Sequence, residues 1–111
     1  MAAGLYDIII EQYAVFQKAF QYNNSDGTPI DLSGKSGKMQ VRKSYDSTAV
    51  LVELSTANGK MTVDNLGNII LNLTAEETSV LNWEDAVYDI LIDGERILQG
   101  RAVLDRGSTH A

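Results

Sequence analysis

Apolar and polar residues alternate along most of this chain, and a period of two predicts strands rather than helices. Tyr6 to Ile10 and Ala14 to Tyr22 are rich in aromatic and β-branched residues, and Phe16 and Phe20 fall on one face. Asn23 to Pro29 holds an Asp-Gly step and the only proline, both of which interrupt regular structure. Ile30 and Leu32 then lead to a second break at Ser33-Gly34. From Lys38 to Lys43, Met39 and Val41 face one side while Lys38, Gln40 and Arg42 face water. Ser44 to Thr48 reads as a polar loop and Val50 to Leu54 as the next strand. Ala57-Asn58-Gly59-Lys60 is a tight turn, because Asn-Gly tolerates positive φ. Met61 to Val63 and Asn68 to Leu73, joined by Asp64 to Gly67, form a hairpin with Ile69, Leu71 and Leu73 inward. Ala86 to Ile92 carries Tyr88, Ile90 and Ile92 on one face, and Asp93-Gly94 is the hairpin signal before Arg96 to Leu104.

One segment departs from this period. Thr74-Ala75-Glu76-Glu77 fits a capping box, and Val80 and Leu81 supply an apolar side, so the spacing predicts a short helix over 75–81. The sum is an all-β sandwich of about eight strands with one helical turn and a single core. The expected core members are Phe16, Phe20, Leu32, Met39, Val41, Leu54, Ile69, Leu71, Leu73, Leu81, Trp83, Tyr88, Ile90, Leu98 and Val103. Residues 1–105 are expected as one domain, with 1–5 as a flexible arm and 106–111 as a disordered tail.

Composition removes several functional classes. With no cysteine among 111 residues there is no thiol nucleophile, disulfide or thiolate metal site. The one histidine, His110, leaves a His-based triad or multi-His centre nothing to be built from. Acids outnumber bases 15 to 9, and the net charge of −6 argues against binding to phosphate backbones. The start of the chain has no basic n-region and its apolar runs are short, so synthesis in the cytoplasm without membrane insertion is expected. The sequons at Asn23 and Asn72 then carry no meaning.

Carboxylates are the plentiful reactive groups, but Glu76-Glu77 and Glu84-Asp85 are neighbours in sequence. Adjacent residues diverge on a helix and face opposite sides on a strand, so neither pair converges on a substrate. Asn23 to Gly27 lacks the acidic first position and the distal glutamate of a calcium loop. No glycine stands in a strand-to-helix phosphate-binding pattern. These absences predict a protein that is not an enzyme and takes no cofactor or metal.

Charge is unevenly spread. Lys35, Lys38, Arg42 and Lys43 fall within nine residues holding no acid. Glu76, Glu77, Glu84, Asp85, Asp89, Asp93 and Glu95 fall within twenty holding no base. A solvated strand face and a solvated hairpin account for both. The sharper expectation is an interface in which Lys35, Lys38, Arg42 and Lys43 of one copy meet Glu84, Asp85, Asp89, Asp93 and Glu95 of the next. Tyr6, Tyr13, Tyr22, Tyr45 and Trp83 are aromatics of the kind that interfaces use, with Trp83 better placed as a core plug.

The order of motifs also carries a resemblance. Asp-Gly-Thr-Pro-Ile-Asp-Leu-Ser-Gly at 26–34 precedes Lys-Met-Gln-Val-Arg at 38–42 and Ala-Asn-Gly-Lys-Met-Thr-Val at 57–63. Gly-Asn-Ile-Ile-Leu-Asn-Leu-Thr-Ala-Glu-Glu-Thr at 67–78 and Ala-Val-Tyr-Asp-Ile-Leu-Ile at 86–92 follow. This series resembles small tailed-bacteriophage virion proteins and is similar to the immunoglobulin-like N-terminal domain of phage baseplate upper proteins. The resemblance implies an immunoglobulin-like sandwich and a non-catalytic virion subunit, in the tail, baseplate or an adaptor. It would assemble as a homo-oligomer with copies of itself and other virion subunits. Strand edges suit such assembly, and the expected ones are Leu5 to Ile10 and Arg96 to Leu104. Alternatives are a head-decoration protein, an acidic DNA-mimic inhibitor of a host nucleic-acid enzyme, and a carbohydrate-binding module.

Overall fold

The computed structural model describes residues 4–106, and within them nine strands and one short helix form a two-layer sandwich. The strands are β1 (Gly4–Leu5), β2 (Ile8–Glu11), β3 (Phe16–Gln21), β4 (Gly37–Arg42), β5 (Val52–Ser55), β6 (Met61–Val63), β7 (Asn68–Leu73), β8 (Val87–Ile92) and β9 (Glu95–Asp105). The helix α1 is Ala75–Ser79. The larger sheet runs β1-β9-β8-β4-β5, with β2 also on β9, and the smaller runs β3-β7-β6. Taken in chain order, β3 to β9 occupy the places of strands B, C, C′, D, E, F and G of the immunoglobulin fold. The sandwich is therefore immunoglobulin-like in topology, without that fold's disulfide and with its buried tryptophan moved to the loop before β8.

Alternation explains the core. Met39, Val41, Leu54, Tyr88 and Ile90 project from the larger sheet against Met61, Ile69, Leu71 and Leu73 of the smaller, and all are buried. Each such side chain contributes about 1.5–3 kcal/mol on leaving water. Trp83 plugs one end and donates its indole N–H to the Ala102 carbonyl at 2.9 Å. The β8–β9 hairpin turns through Asp93 and Gly94, both at positive φ (50° and 84°), the conformation the Asp-Gly pair predicts. The capping box forms as expected: Thr74 Oγ1 accepts from the Glu77 N–H at 3.1 Å, and Glu77 Oε1 accepts from the Thr74 N–H at 2.8 Å.

Several expectations need correction. The first predicted strand, Tyr6 to Ile10, begins only at Ile8 and runs to Glu11, while Gly4 and Leu5, expected in a flexible arm, form β1; β1 and β2 both pair in parallel with β9. The sandwich is thus not wholly antiparallel. Phe16, not Ala14, begins β3, and β5 starts at Val52 rather than Val50. The helix stops at Ser79, leaving Val80 exposed while Leu81 turns inward. Phe20 and Leu98 are only partly buried, and Val103 lies on the outer face because Ala102 and Leu104 take the inward positions. Ile8, Ile10, Met61, Ala86, Ile92, Ala102 and Leu104 are core members beyond those expected. Ile8, Ile10, Ala102 and Leu104 lie in β2 and β9, whose inward faces are set by their mutual parallel pairing and by a bulge in β9 opposite Ile90 and Leu91, neither of which local alternation reveals. Arg106 is held through hydrogen bonds from its guanidinium to Asn82 and the Trp83 carbonyl. The rest of the expected tail, His110 included, lies outside the described residues.

Candidate interaction surface

The basic and acidic stretches are neighbours within one molecule. β4 pairs antiparallel with β8, placing Gln40 opposite Asp89, Lys38 opposite Leu91 and Arg42 opposite Val87. Lys35 bridges to Asp93 at 3.6 Å, and Asp93 also accepts from the Ser36 N–H. The buried Asp89 pairs with Arg96 at 3.1 Å, and Asp85 pairs with Arg101 at 3.4 Å. The Arg42 guanidinium donates to Gln40 Oε1, and Gln40 in turn donates to Glu53 at 2.8 Å. Lys43, Glu84 and Asp85 line one shallow cleft, and exposed Glu95 sits beside the hairpin tip. The charges that the sequence separates into blocks are interleaved on one face. Of the nine expected interface residues, Lys35 and Asp93 pair with each other, and Asp89 and Asp85 pair with Arg96 and Arg101 of the same chain.

The Ser44 to Val50 loop lays Tyr45 across this face, where its hydroxyl donates to the Gly100 carbonyl at 3.2 Å. Burial and the nearby Asp89 charge push the Tyr45 phenol above its ordinary pKa, so it remains a donor.

Two clefts share Leu51, Asn82 and Trp83 at the end near α1. One, of about 380 Å³, is walled by Leu51, Leu73, Val80 and Leu81 and crossed by the Lys60–Glu77 bridge at 2.9 Å. Neither gathers a nucleophile beside a base. Among the described residues, no cluster of three or more His, Cys, Asp or Glu could hold a metal ion.

The N-terminal side of the sandwich differs. The Tyr6 and Gln12 N–H groups both donate to β9, at 2.9 and 2.8 Å. Successive backbone groups of a strand point to opposite edges, so within β2 those of Ile9 and Glu11 face away from the sheet. β3, at the border of the smaller sheet on the same side, pairs among the described residues with β7 alone. Leu5, Ile9, Tyr13 and Val15 are exposed there, Leu5 by 79% and Val15 by 73%. Unpaired backbone beside exposed apolar side chains is a template for another strand.

Of the two edges expected from the sequence, Leu5 to Ile10 is at the border, but Arg96 to Leu104 is interior, held between β8 and β1–β2. The apolar surface was missed although a signal exists. Ile8-Ile9-Ile10 is three consecutive apolar residues, and in a strand the middle one must point opposite to its neighbours. Compared with protein-family models and with curated proteins, the sequence matches none.

Proposed function

We propose that this chain is a non-catalytic structural subunit of a bacteriophage virion, assembling with copies of itself and other subunits through protein contacts. The observation that carries the assembly reading is the N-terminal border, where β2 has a backbone edge that no described residue covers and Ile9 is 62% exposed. A monomer gains nothing from leaving such an edge uncovered. The virion setting, whether tail, baseplate or adaptor, is supported by the order of strand and turn motifs. The interleaving of Lys35, Arg96 and Arg101 among the acids gives a DNA mimic less support, since such a mimic requires a continuous acidic face.

Sedimentation at rising concentration should yield species heavier than the 12.1 kDa chain, and mass spectrometry of purified particles should recover it in multiple copies. A strictly monomeric protein absent from the particles would refute the proposal.

A further inference from the structure

We infer that residues 4–12 are exchanged between two copies of the chain, each N-terminal segment docking on the β9 of the other, with release of the Tyr13 backbone as the driving force. The inference rests on the reading above that copies of the chain assemble, and it places a contact on β9 that is distinct from the open β2 edge.

The segment is bound as a separable part. It runs parallel to β9, so it is no hairpin arm, and the only covalent tie between it and the strand that follows is the turn from Gln12 to Val15. Its dock is specific. Ile8 and Ile10 fill the core, at 3% and 0% exposure. Asp7 accepts from the Arg101 N–H at 2.9 Å, and the Gln12 side chain donates to the Ser79 and Leu81 carbonyls at 3.1 and 2.9 Å. The Tyr88 hydroxyl passes over Gly100 to donate to the Tyr6 carbonyl. Gly100 is required there, because a Cβ would fall on that carbonyl and within 3.1 Å of Asp7 Oδ1.

All of these bonds are reproduced when the segment comes from a second copy. The balance between closed and exchanged forms therefore falls to the connection. In the closed form Tyr13 sits at φ 69°, a left-handed conformation that strains a bulky residue. Exchange lets the turn extend and removes that strain, and short strained hinges favour exchange for this reason.

The chain has no cysteine, so an introduced pair reports cleanly. Ile9 and Val103 are register partners with outward side chains, on neighbouring strands about 4.8 Å apart, within disulfide reach. In the full-length double variant Ile9→Cys, Val103→Cys, oxidised at high protein concentration, exchange predicts covalent dimers on a non-reducing gel whose disulfides join position 9 of one copy to position 103 of the other in peptide mapping by mass spectrometry; dimers joined only through position 9 of both copies report contact between open edges and overturn the exchange. Adding Tyr13→Gly, which removes the strain from the closed form, should lower the dimeric share by about fivefold or more. Native mass before oxidation separates the two ways to fail. Oligomers that yield only intramolecular disulfides overturn the exchange and leave assembly intact. Monomers with only intramolecular disulfides overturn both. A dimeric share unmoved by Tyr13→Gly overturns the strain-driven mechanism.

Discussion

The two borders of the larger sheet are built in opposite ways. At β5 the chain closes its own edge: Asn58, in the following turn, donates from Nδ2 to the Glu53 carbonyl at 2.9 Å. Its Oδ1 accepts from the Ser55 N–H at 2.9 Å and the Lys60 N–H at 3.0 Å. One side chain thus occupies backbone positions that a neighbouring strand would otherwise fill. At β2, among the described residues, no side chain fills the outer backbone positions in this way, and the outward side chains are Ile9 and Glu11 and, in β1, Leu5. One blocked edge and one open edge would direct any association to a single side.

The largest expected effect breaks the open border itself. Gly100→Val drives a side chain into the Tyr6 carbonyl and should cost about 3 kcal/mol in urea denaturation, with amide protection lost first over residues 4–12. Protection retained there would mean that Gly100 does not hold the segment in place. Next is Asn58→Ala, which leaves the Glu53 and Ser55 backbone groups without their partner. A loss of about 1–2 kcal/mol is expected, together with new self-association through β5, visible by sedimentation. Association unchanged from the parent would argue that β5 is blocked by something other than Asn58.

Ile9→Lys should act in the reverse sense, since a lysine on an edge opposes strand addition. Stability should change by no more than about 0.5 kcal/mol while concentration-dependent mass falls. If the mass distribution stays the same, the β2 edge is not where copies meet.

The smallest effect concerns pH and belongs to neither border. Hydrogen bonds from Asn68 hold the Asp64 carboxyl below its ordinary pKa, and those from Thr28 and Ser33 do the same for Asp26 and Asp31. The Thr74 N–H, with Lys60, lowers Glu77. Each group binds its proton more weakly folded than unfolded, so its contribution is complete above the unfolded value, about pH 4, and is lost as pH falls below it. Urea midpoints between pH 7 and 3 should show that decline, and Asp64→Asn should make it shallower. An equally steep fall in the variant would exclude Asp64 as a contributor.

Local features were the readable ones. Thr74 and Glu77 cap a helix through bonds three residues apart, and Asp93-Gly94 turns a hairpin through its own dihedrals, so both were legible from the residues alone. The helix end was not. Val80 and Leu81 are equally apolar, and only the position of the core makes one exposed and the other buried. That the two blocks of charge are neighbours was not legible for a related reason: distance along the chain says nothing about which strands pair, and β4 lies beside β8.

By itself the sequence determined most strand segments, the turns and the capped start of the helix, because each depends on contacts a few residues long. Tertiary structure decided three further matters: that the N-terminal segment runs parallel to β9, that β9 is interior and β2 is the open border, and that Lys35 meets Asp93 within one molecule. Sheet order joins residues as far apart as Asp7 and Arg101, and that order follows from how all the apolar faces can be buried together rather than from any one segment.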